Sequence, residues 1–299
     1  MIGLSLVVSL GGFDALAANS PMPGPPAGNQ PYPGLAQSRP GIRTRVLGGS
    51  AVGSGTRVAL TDAGSIVRSS DGVEWFNVPR ANVPLYGIAC GGGLVVAVGH
   101  CGTILASTDG VDWKPQVSGT PSALHSVAYG AGTFVTVGNE GVVLSSTDGI
   151  SWVNRNSPAS AAGDALKPSG IEERLRGVTF GNDRFVAVGY NGMLLSSKDG
   201  ARWSRLNSHT HERLQGIEFG NGLFVAVGWH GTVLLSHDGI SWARTSAGSA
   251  NLSSIVWQNQ LFAVTGANGT VSADGKGWLL PQTSTTPILA ASDSTSVWP

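Results

Sequence analysis

The sequence predicts an all-β fold, a single β-propeller of four-stranded blades, and three observations lead to this prediction. A motif of the form S-x-D-G-x-x-W occurs six times, at spacings of 38, 39, 51, 39 and 36 residues. The segments between the copies read as short β-rich runs separated by turn residues, four in each unit. Glycine supplies 44 of the 299 residues, which suits many tight turns. A period near 40 residues with four strands per unit is typical of propeller blades.

The repeated motif predicts the same hairpin in every unit. Glycine adopts the positive φ of the turn, the aspartate and serine side chains hydrogen-bond to turn N–H groups, and the tryptophan ring packs over the turn. Turn chemistry accounts for every motif residue, so these residues are predicted to be structural. The aspartates are Asp71, Asp109, Asp148, Asp199, Asp238 and Asp274, and the tryptophans are Trp75, Trp113, Trp152, Trp203, Trp242 and Trp278.

The fifth unit shows the expected order of strands within one blade. Strands are predicted over residues 214–219, 223–227, 232–236 and 241–245, with the aspartate turn between the third and the fourth. Six such blades are predicted over residues 43–282. A seventh blade is the alternative if the tail, residues 283–299, supplies further strand.

The motif copies resemble a known class of repeat. "SSTDGISW", "SSKDGARW" and "LSHDGISW" are similar to the Asp-box, or BNR-like, repeats of sialidase-superfamily propellers within the WD40/YVTN/BNR-like group, and to propellers of the photosystem II stability and assembly factor type. The sialidase box has one residue between Asp and Gly, whereas here the two are adjacent. The resemblance implies a propeller and favours a protein or peptide partner. Glycan binding or sialidase-like glycoside hydrolysis is the alternative.

The N-terminal region predicts export. Residues 1–18 combine an apolar run with a small-x-small site, as in a secretory signal peptide, and the run is too short to span a bilayer. Residues 19–42 are rich in proline and are predicted to be a disordered linker. A periplasmic or extracellular location is therefore expected.

The charge of the chain bears on its partners, and the positions of its two cysteines bear on disulfide formation. Formal net charge is zero and 12% of residues are charged, which argues against a nucleic-acid partner. Cys90 and Cys101 fall at opposite ends of the predicted strands, so we expect two free thiols.

The positions that differ most between units predict a binding face. They lie in the turn between the second and third strands and at the entrance of the first strand. On this face lie Tyr86, His100, His125, Glu140, Arg176, Tyr190, Gln215, Trp229 and His230. Arg176 and two exposed rings, Tyr190 and Trp229, are the expected anchors. The alternative is a purely structural module, in which the turns are polar and accept many different residues without any role in binding.

No cofactor or metal is predicted, because the histidines lack a ligand pattern with cysteine or carboxylate. Sialidase-like hydrolysis would use an arginine cluster with a tyrosine–glutamate pair and an aspartic acid. The face offers Arg176, with Arg174 and Arg213 nearby, but no evident aspartate. The sequence therefore favours a protein that binds a ligand without catalysing a reaction, and sialidase-like hydrolysis stays an open alternative.

Overall fold

The computed structural model describes residues 49–51, 56–61, 64–70, 75–78, 83–155, 174–258, 260–266, 270–272, 274–275 and 277–278. Within them the chain forms strands β1 to β23 in six sheets, each a run of sequence neighbours. The predicted all-β class is confirmed. The proposed signal peptide, the linker and the C-terminal tail lie outside the described residues.

Each sheet is one blade, and its strands are antiparallel to their neighbours. Blade one contains β1 Gly49–Ala51, β2 Arg57–Leu60, β3 Ile66–Ser69 and β4 Phe76–Asn77; blade two contains β5 Leu85–Gly91, β6 Leu94–Gly99, β7 Ile104–Ser107 and β8 Lys114–Gln116. Blade three contains β9 Leu124–Gly130, β10 Thr133–Gly138, β11 Val143–Ser146 and β12 Val153–Asn154; blade four contains β13 Leu175–Gly181, β14 Arg184–Gly189, β15 Leu194–Ser197 and β16 Ser204–Arg205. Blade five contains β17 Leu214–Gly220, β18 Leu223–Gly228, β19 Thr232–Ser236 and β20 Ala243–Ser246; blade six contains β21 Leu252–Gln258, β22 Leu261–Gly266 and β23 Thr270–Ser272.

The core lies between blades. The second strand of blade five reads "LFVAVG" and is buried along its whole length, because neighbouring blades cover both of its faces. Between blades three and four, Ala128, Val178 and Phe185 belong to one cluster. Val256 of β21 packs against a cluster that includes Val58 and Leu60 of β2. The last blade therefore packs against the first ones, as a closed ring requires.

Glycine at the end of the first strand sets the spacing between blades. A Cβ added to Gly130 would overlap the ring of Phe180, and one added to Gly181 would overlap the ring of Phe219. The same relation joins Gly220 to Trp257. Blades three, four and five thus each make room for an aromatic ring of the next blade, because glycine has no side chain there.

The aspartate turn has the same hydrogen bonds from blade to blade. In blade two, Asp109 Oδ1 accepts the N–H groups of Val111 and Asp112 at 2.8 and 2.9 Å, and the Ser107 hydroxyl donates to it at 2.9 Å. These N–H groups, Val111 first, hold the pKa of Asp109 below its usual value. The Trp113 indole N–H donates to the Gly110 carbonyl at 3.2 Å. Each of the other described motif aspartates accepts a turn N–H and the hydroxyl of its motif serine: Asp148, Asp199, Asp238 and Asp274.

The first copy of the motif is described only in part. Asp71 lies outside the described residues, whereas Trp75 is buried. Trp203 and Trp242 are also buried, Trp152 and Trp278 are half-buried, and the Trp242 indole N–H has no acceptor. The motif tryptophans thus pack against their blades, and their N–H bond is not required for that packing.

Candidate binding face

A single 3₁₀ turn joins the second and third strands and fixes the direction of its side chains. In blades four and five these turns are Tyr190–Gly192 and Trp229–Gly231. The Tyr190 N–H donates to the Arg174 carbonyl at 2.9 Å, and the Trp229 N–H donates to the Arg213 carbonyl at 3.0 Å. These bonds hold each turn against the residue that precedes the first strand, so the two side chains lie side by side on one face.

The predicted residues at the entrance of the first strands contact one another beneath this face. Arg176 Nε donates to Gln215 Oε1 at 3.3 Å, and Arg176 Nη1 lies 3.1 Å from His125 Nε2 and 3.4 Å from His125 Nδ1. His125 Nε2 also lies 2.8 Å from Asn139 Oδ1, so the imidazole contacts both side chains. The Tyr86 ring stacks on the imidazole with centroids 5.5 Å apart. Four blades thus contribute to one continuous polar layer.

This layer is buried, which corrects the expectation of an exposed rim. Arg176 is 4% exposed, Gln215 5% and His125 8%. Burial, with the neighbouring Arg176 charge, lowers the pKa of His125 to about 4, so the imidazole is neutral near neutral pH. Burial also lowers the pKa of Arg176 and raises that of Tyr86. These side chains are buried because they satisfy one another, and they support the surface above them.

Three arginines and two aromatic rings meet at that surface, with Arg176 beneath the others. The guanidinium carbon of Arg213 lies 4.7 Å from the Tyr190 ring centroid and 4.3 Å from that of Trp229. The guanidinium carbons of Arg174 and Arg176 lie 5.8 and 5.6 Å from the Tyr190 centroid. We call these five residues the arginine–aromatic platform. Such distances are typical of cation–π contacts.

The platform differs from the sequence prediction in which of its members are exposed. Tyr190 and Trp229 are half-buried, because guanidinium groups cover their rings, whereas Arg174 and Arg213 are exposed. The accessible side chains of the platform are therefore these two arginines, and Arg176 lies below them. The sequence analysis named both only for the sialidase-like alternative and did not include them among the residues of the binding face.

A signal in the repeats could have identified them. In blades two to six the first strand begins with leucine. The residue immediately before this leucine is arginine in blades four and five and is uncharged in blades two, three and six. The equivalent residues are Pro84, Ala123, Arg174, Arg213 and Asn251. Two adjacent blades thus place like charges at neighbouring points of one face.

The remaining predicted residues lie around the platform and its polar layer. His100 Nδ1 lies 3.4 Å from the Tyr86 hydroxyl. His230 Nδ1 lies 2.8 Å from Glu212 Oε2, and its ring meets that of Trp229 edge-on with centroids 6.5 Å apart. Glu140 bonds locally in blade three, where it accepts the Ser122 hydroxyl at 2.9 Å. The structure thus brings eight of the nine predicted residues into one connected region: Tyr86, His100, His125, Arg176, Tyr190, Gln215, Trp229 and His230.

Cys90 is half-buried and Cys101 exposed, and both are free thiols. In the part of the chain that the structure describes, no group of three or more His, Cys, Asp or Glu side chains is arranged to hold a metal ion. No helix among the described residues has the length and apolar character needed to cross a membrane.

The fold and this face define a β-propeller with one variable face that concentrates arginine and aromatic side chains. No protein-family model and no curated protein matches the chain. Solved structures are similar in fold. YCF48 from Cyanidioschyzon merolae has a TM-score of 0.58 at 16% identity, over 85% of this chain and 88% of that one.

Two further structures show the same likeness. YCF48 bound to D1 peptide has a TM-score of 0.50 at 16% identity, over 71% of this chain and 72% of that one. The computationally designed Ika8 protein has a TM-score of 0.56 at 13% identity, over 80% and 74%. At these identities the similarity is one of fold.

Proposed function

We propose that this protein is an exported binding propeller that holds an acidic segment of a protein or peptide partner on the arginine–aromatic platform. The observation that carries the proposal is the position of Arg213, whose guanidinium lies over both Tyr190 and Trp229. A stacked guanidinium is held in a fixed plane, and its N–H edge remains available for carboxylate oxygens.

The charge around the platform supports an anionic ligand. Arg174, Arg176 and Arg213 all approach the Tyr190 ring, so three positive charges converge on one side chain. The buried His125 beside Arg176 is neutral near neutral pH, so the positive charge at this point comes from the arginines. An incoming carboxylate relieves the repulsion among the guanidiniums, while the rings provide the apolar contact area that peptide side chains need.

The comparisons support a peptide as the ligand class, since one propeller of similar fold is described as bound to D1 peptide. The shared hydrogen bonds of the aspartate turns support assigning the repeats to the Asp-box class. The apolar N-terminal run with its small-x-small site supports export to the periplasm or the exterior.

A peptide array tests the proposal. Peptides with clustered Asp and Glu or a free C-terminal carboxylate are expected to bind, and amidated or neutral versions are expected to bind weakly. Arg213→Ala removes a charge-assisted contact and is expected to weaken binding about tenfold or more. Trp229→Ala is expected to weaken it as well. Lys114→Ala, an exposed cation of blade two, is the matched control.

Equal binding by the native protein and the Arg213→Ala variant would contradict the proposal. So would an unchanged set of co-purified partners for the Trp229→Ala variant, which the purely structural alternative predicts.

One observation favours a second candidate function. Three guanidiniums around the Tyr190 ring are also suited to the carboxylate of a sialic acid, the ligand of the sialidase-like alternative. If the native protein hydrolyses an aryl sialoside and the Arg176→Ala variant does not, sialidase activity replaces peptide binding as the proposed function. Sialoside binding on a glycan array without hydrolysis would establish a glycan-binding function instead.

A further inference from the structure

We infer that the propeller has a second binding site, for a phosphate monoester, on the face opposite the arginine–aromatic platform. An open surface pocket of about 300 Å³ lies beside the aspartate turn of blade four. Its lining includes Arg184, Ser196, Lys198, Asp199, Arg202 and Ser204, which we call the blade-four pocket. Three of these side chains are cations and one is an anion.

The cations belong to blade four alone among the equivalent positions. Arg184 corresponds to Leu94, Thr133 and Leu223 in blades two, three and five, and Arg202 corresponds to Asp112, Ser151 and Ser241. Lys198 corresponds to Thr108, Thr147 and His237. The hairpin therefore forms without these charges, and nothing in the turn chemistry of the other blades requires them.

The guanidinium of Arg184 is held in place before any ligand binds. Its Nη1 donates to Ser196 Oγ at 3.0 Å. A Cβ added to Gly239 would lie 2.9 Å from Arg184 Cδ, so the stem of the arginine packs against the aspartate turn of blade five. Asn182 fixes the same junction, since its Nδ2 donates to the His237 carbonyl at 2.6 Å. A cation fixed in this way loses little freedom on binding.

Asp199 cancels only one of the three positive charges of the pocket. Its Oδ1 accepts the N–H groups of Ala201 and Arg202, both at 2.8 Å, and the Ser197 hydroxyl at 3.1 Å. Burial raises the pKa of Asp199, but the N–H bonds from Arg202 and Ala201 lower it by more, so the carboxylate stays ionised and its Oδ1 lone pairs are engaged. Three cations and one ionised acid leave the pocket with two positive charges in excess.

The excess charge and the kinds of donor indicate the ligand. A phosphate monoester carries about two negative charges near neutral pH and has three strong acceptor oxygens. Two planar guanidiniums, one ammonium and the Ser204 hydroxyl offer donors from several directions. A carboxylate would use fewer of them, and a sulfate ester carries only one charge. The volume is at the lower end of the usual range of small-molecule pockets, about 300 to 1,000 Å³, and leaves room for the group that the phosphate esterifies.

Calorimetric titration with phenyl phosphate, phenyl sulfate and benzoate tests the site on the whole chain. Phenyl phosphate is expected to bind saturably with one site per chain, more tightly than phenyl sulfate, and benzoate more weakly still. Arg184→Leu, Lys198→Thr and Arg202→Ser insert residues that other blades already carry. Each is expected to weaken phenyl phosphate binding about tenfold or more, since each removes a charge-assisted contact.

One control separates this site from general electrostatics, and one outcome separates it from the platform. Lys114→Ala removes an exposed cation elsewhere and is expected to leave phenyl phosphate binding unchanged. Affinity for phenyl phosphate that is lost in Arg213→Ala and kept in the pocket variants would place its binding at the platform and overturn the inference. Melting temperatures show that each variant folds, and Arg202→Ser changes an exposed side chain. The absence of saturable binding, or an unchanged affinity in a variant that combines Arg184→Leu, Lys198→Thr and Arg202→Ser, would overturn the inference whatever the platform binds. Tighter binding of the sulfate than of the phosphate would overturn the choice of ligand.

Discussion

Glu218 makes the most quantitative prediction, because it is a carboxyl group in the core of blade five. It is 1% exposed, its Oε1 accepts the Phe219 N–H at 3.1 Å, and its Oε2 has no hydrogen-bond partner. Burial raises the pKa of this carboxyl well above its usual 4.5. The equivalent residues in other blades are uncharged: Ala89, Ala128, Thr179 and Val256.

The raised pKa of Glu218 fixes the sign of a pH effect on stability. The unfolded chain loses this proton near pH 4.5, whereas the folded chain retains it to higher pH. The stabilisation is therefore complete below pH 4.5 and declines as pH rises towards the folded pKa. Across that interval the free energy of unfolding falls by about 1.4 kcal/mol per pH unit on account of this group.

Glu218→Val, which inserts the residue of blade six, removes this dependence. Urea unfolding of both proteins at pH 5, 6 and 7 gives the difference in free energy of unfolding at each pH. The free energy of unfolding of the variant is expected to rise relative to that of the native protein as pH increases, by about 1.4 kcal/mol per pH unit as long as the folded carboxyl stays protonated. Glu218→Gln, close in shape and neutral, is the second variant and is expected to show the same slope. Other titrating groups are common to all three proteins and cancel. A difference that stays constant with pH would refute the assignment of a buried, proton-binding carboxyl.

Three further predictions concern the turns and the thiols. Asp148→Ala removes the acceptor of two turn N–H groups and is expected to lower the free energy of unfolding by about 1 kcal/mol at pH 7. Because those bonds lower the pKa of Asp148, the difference between variant and native protein in thermal melts is expected to shrink as pH falls below 3.8. A difference that grows at lower pH would contradict this prediction. Gly231→Ala places a Cβ against a backbone carbonyl at φ +65°, whereas a Cβ at Gly222, at φ +72°, meets nothing within 4 Å. Urea denaturation is expected to show that Gly231→Ala is more destabilising than Gly222→Ala by about 1 kcal/mol or more. Equal destabilisation by the two substitutions would contradict the geometry. Thiol labelling without reductant is expected to modify Cys101 in the native protein and both Cys101 and Cys90 after unfolding, and fewer than two thiols would indicate a disulfide.

The strand order could be predicted from the repeats because every blade uses the same local chemistry. In blade five the predicted strands 214–219, 223–227 and 232–236 agree with β17, β18 and β19 to within one residue. The fourth strand begins at Ala243, two residues later than predicted. The reason is that Asp238 still accepts the Ser241 N–H at 2.8 Å, so the turn continues past the expected end.

The binding face was predicted less completely, because comparing repeats identifies variable positions but not the direction of their side chains. Arg176 and Gln215 were expected at an exposed rim and are buried, since they bond to each other across the boundary of blades four and five. Arg213 became important only once the turn of blade five placed Trp229 beneath it. Contacts between blades decide both outcomes, and one unit of sequence does not contain them.

Hydrogen exchange of the protein with and without a saturating acidic peptide tests most directly whether the variable face is the binding face. We expect new protection in residues 174–176, 190–192, 213–215 and 229–231, which form and support the arginine–aromatic platform, and no change in the aspartate turns at residues 109–113, 148–152 and 238–242. Protection of the aspartate turns with an unchanged platform would contradict the account.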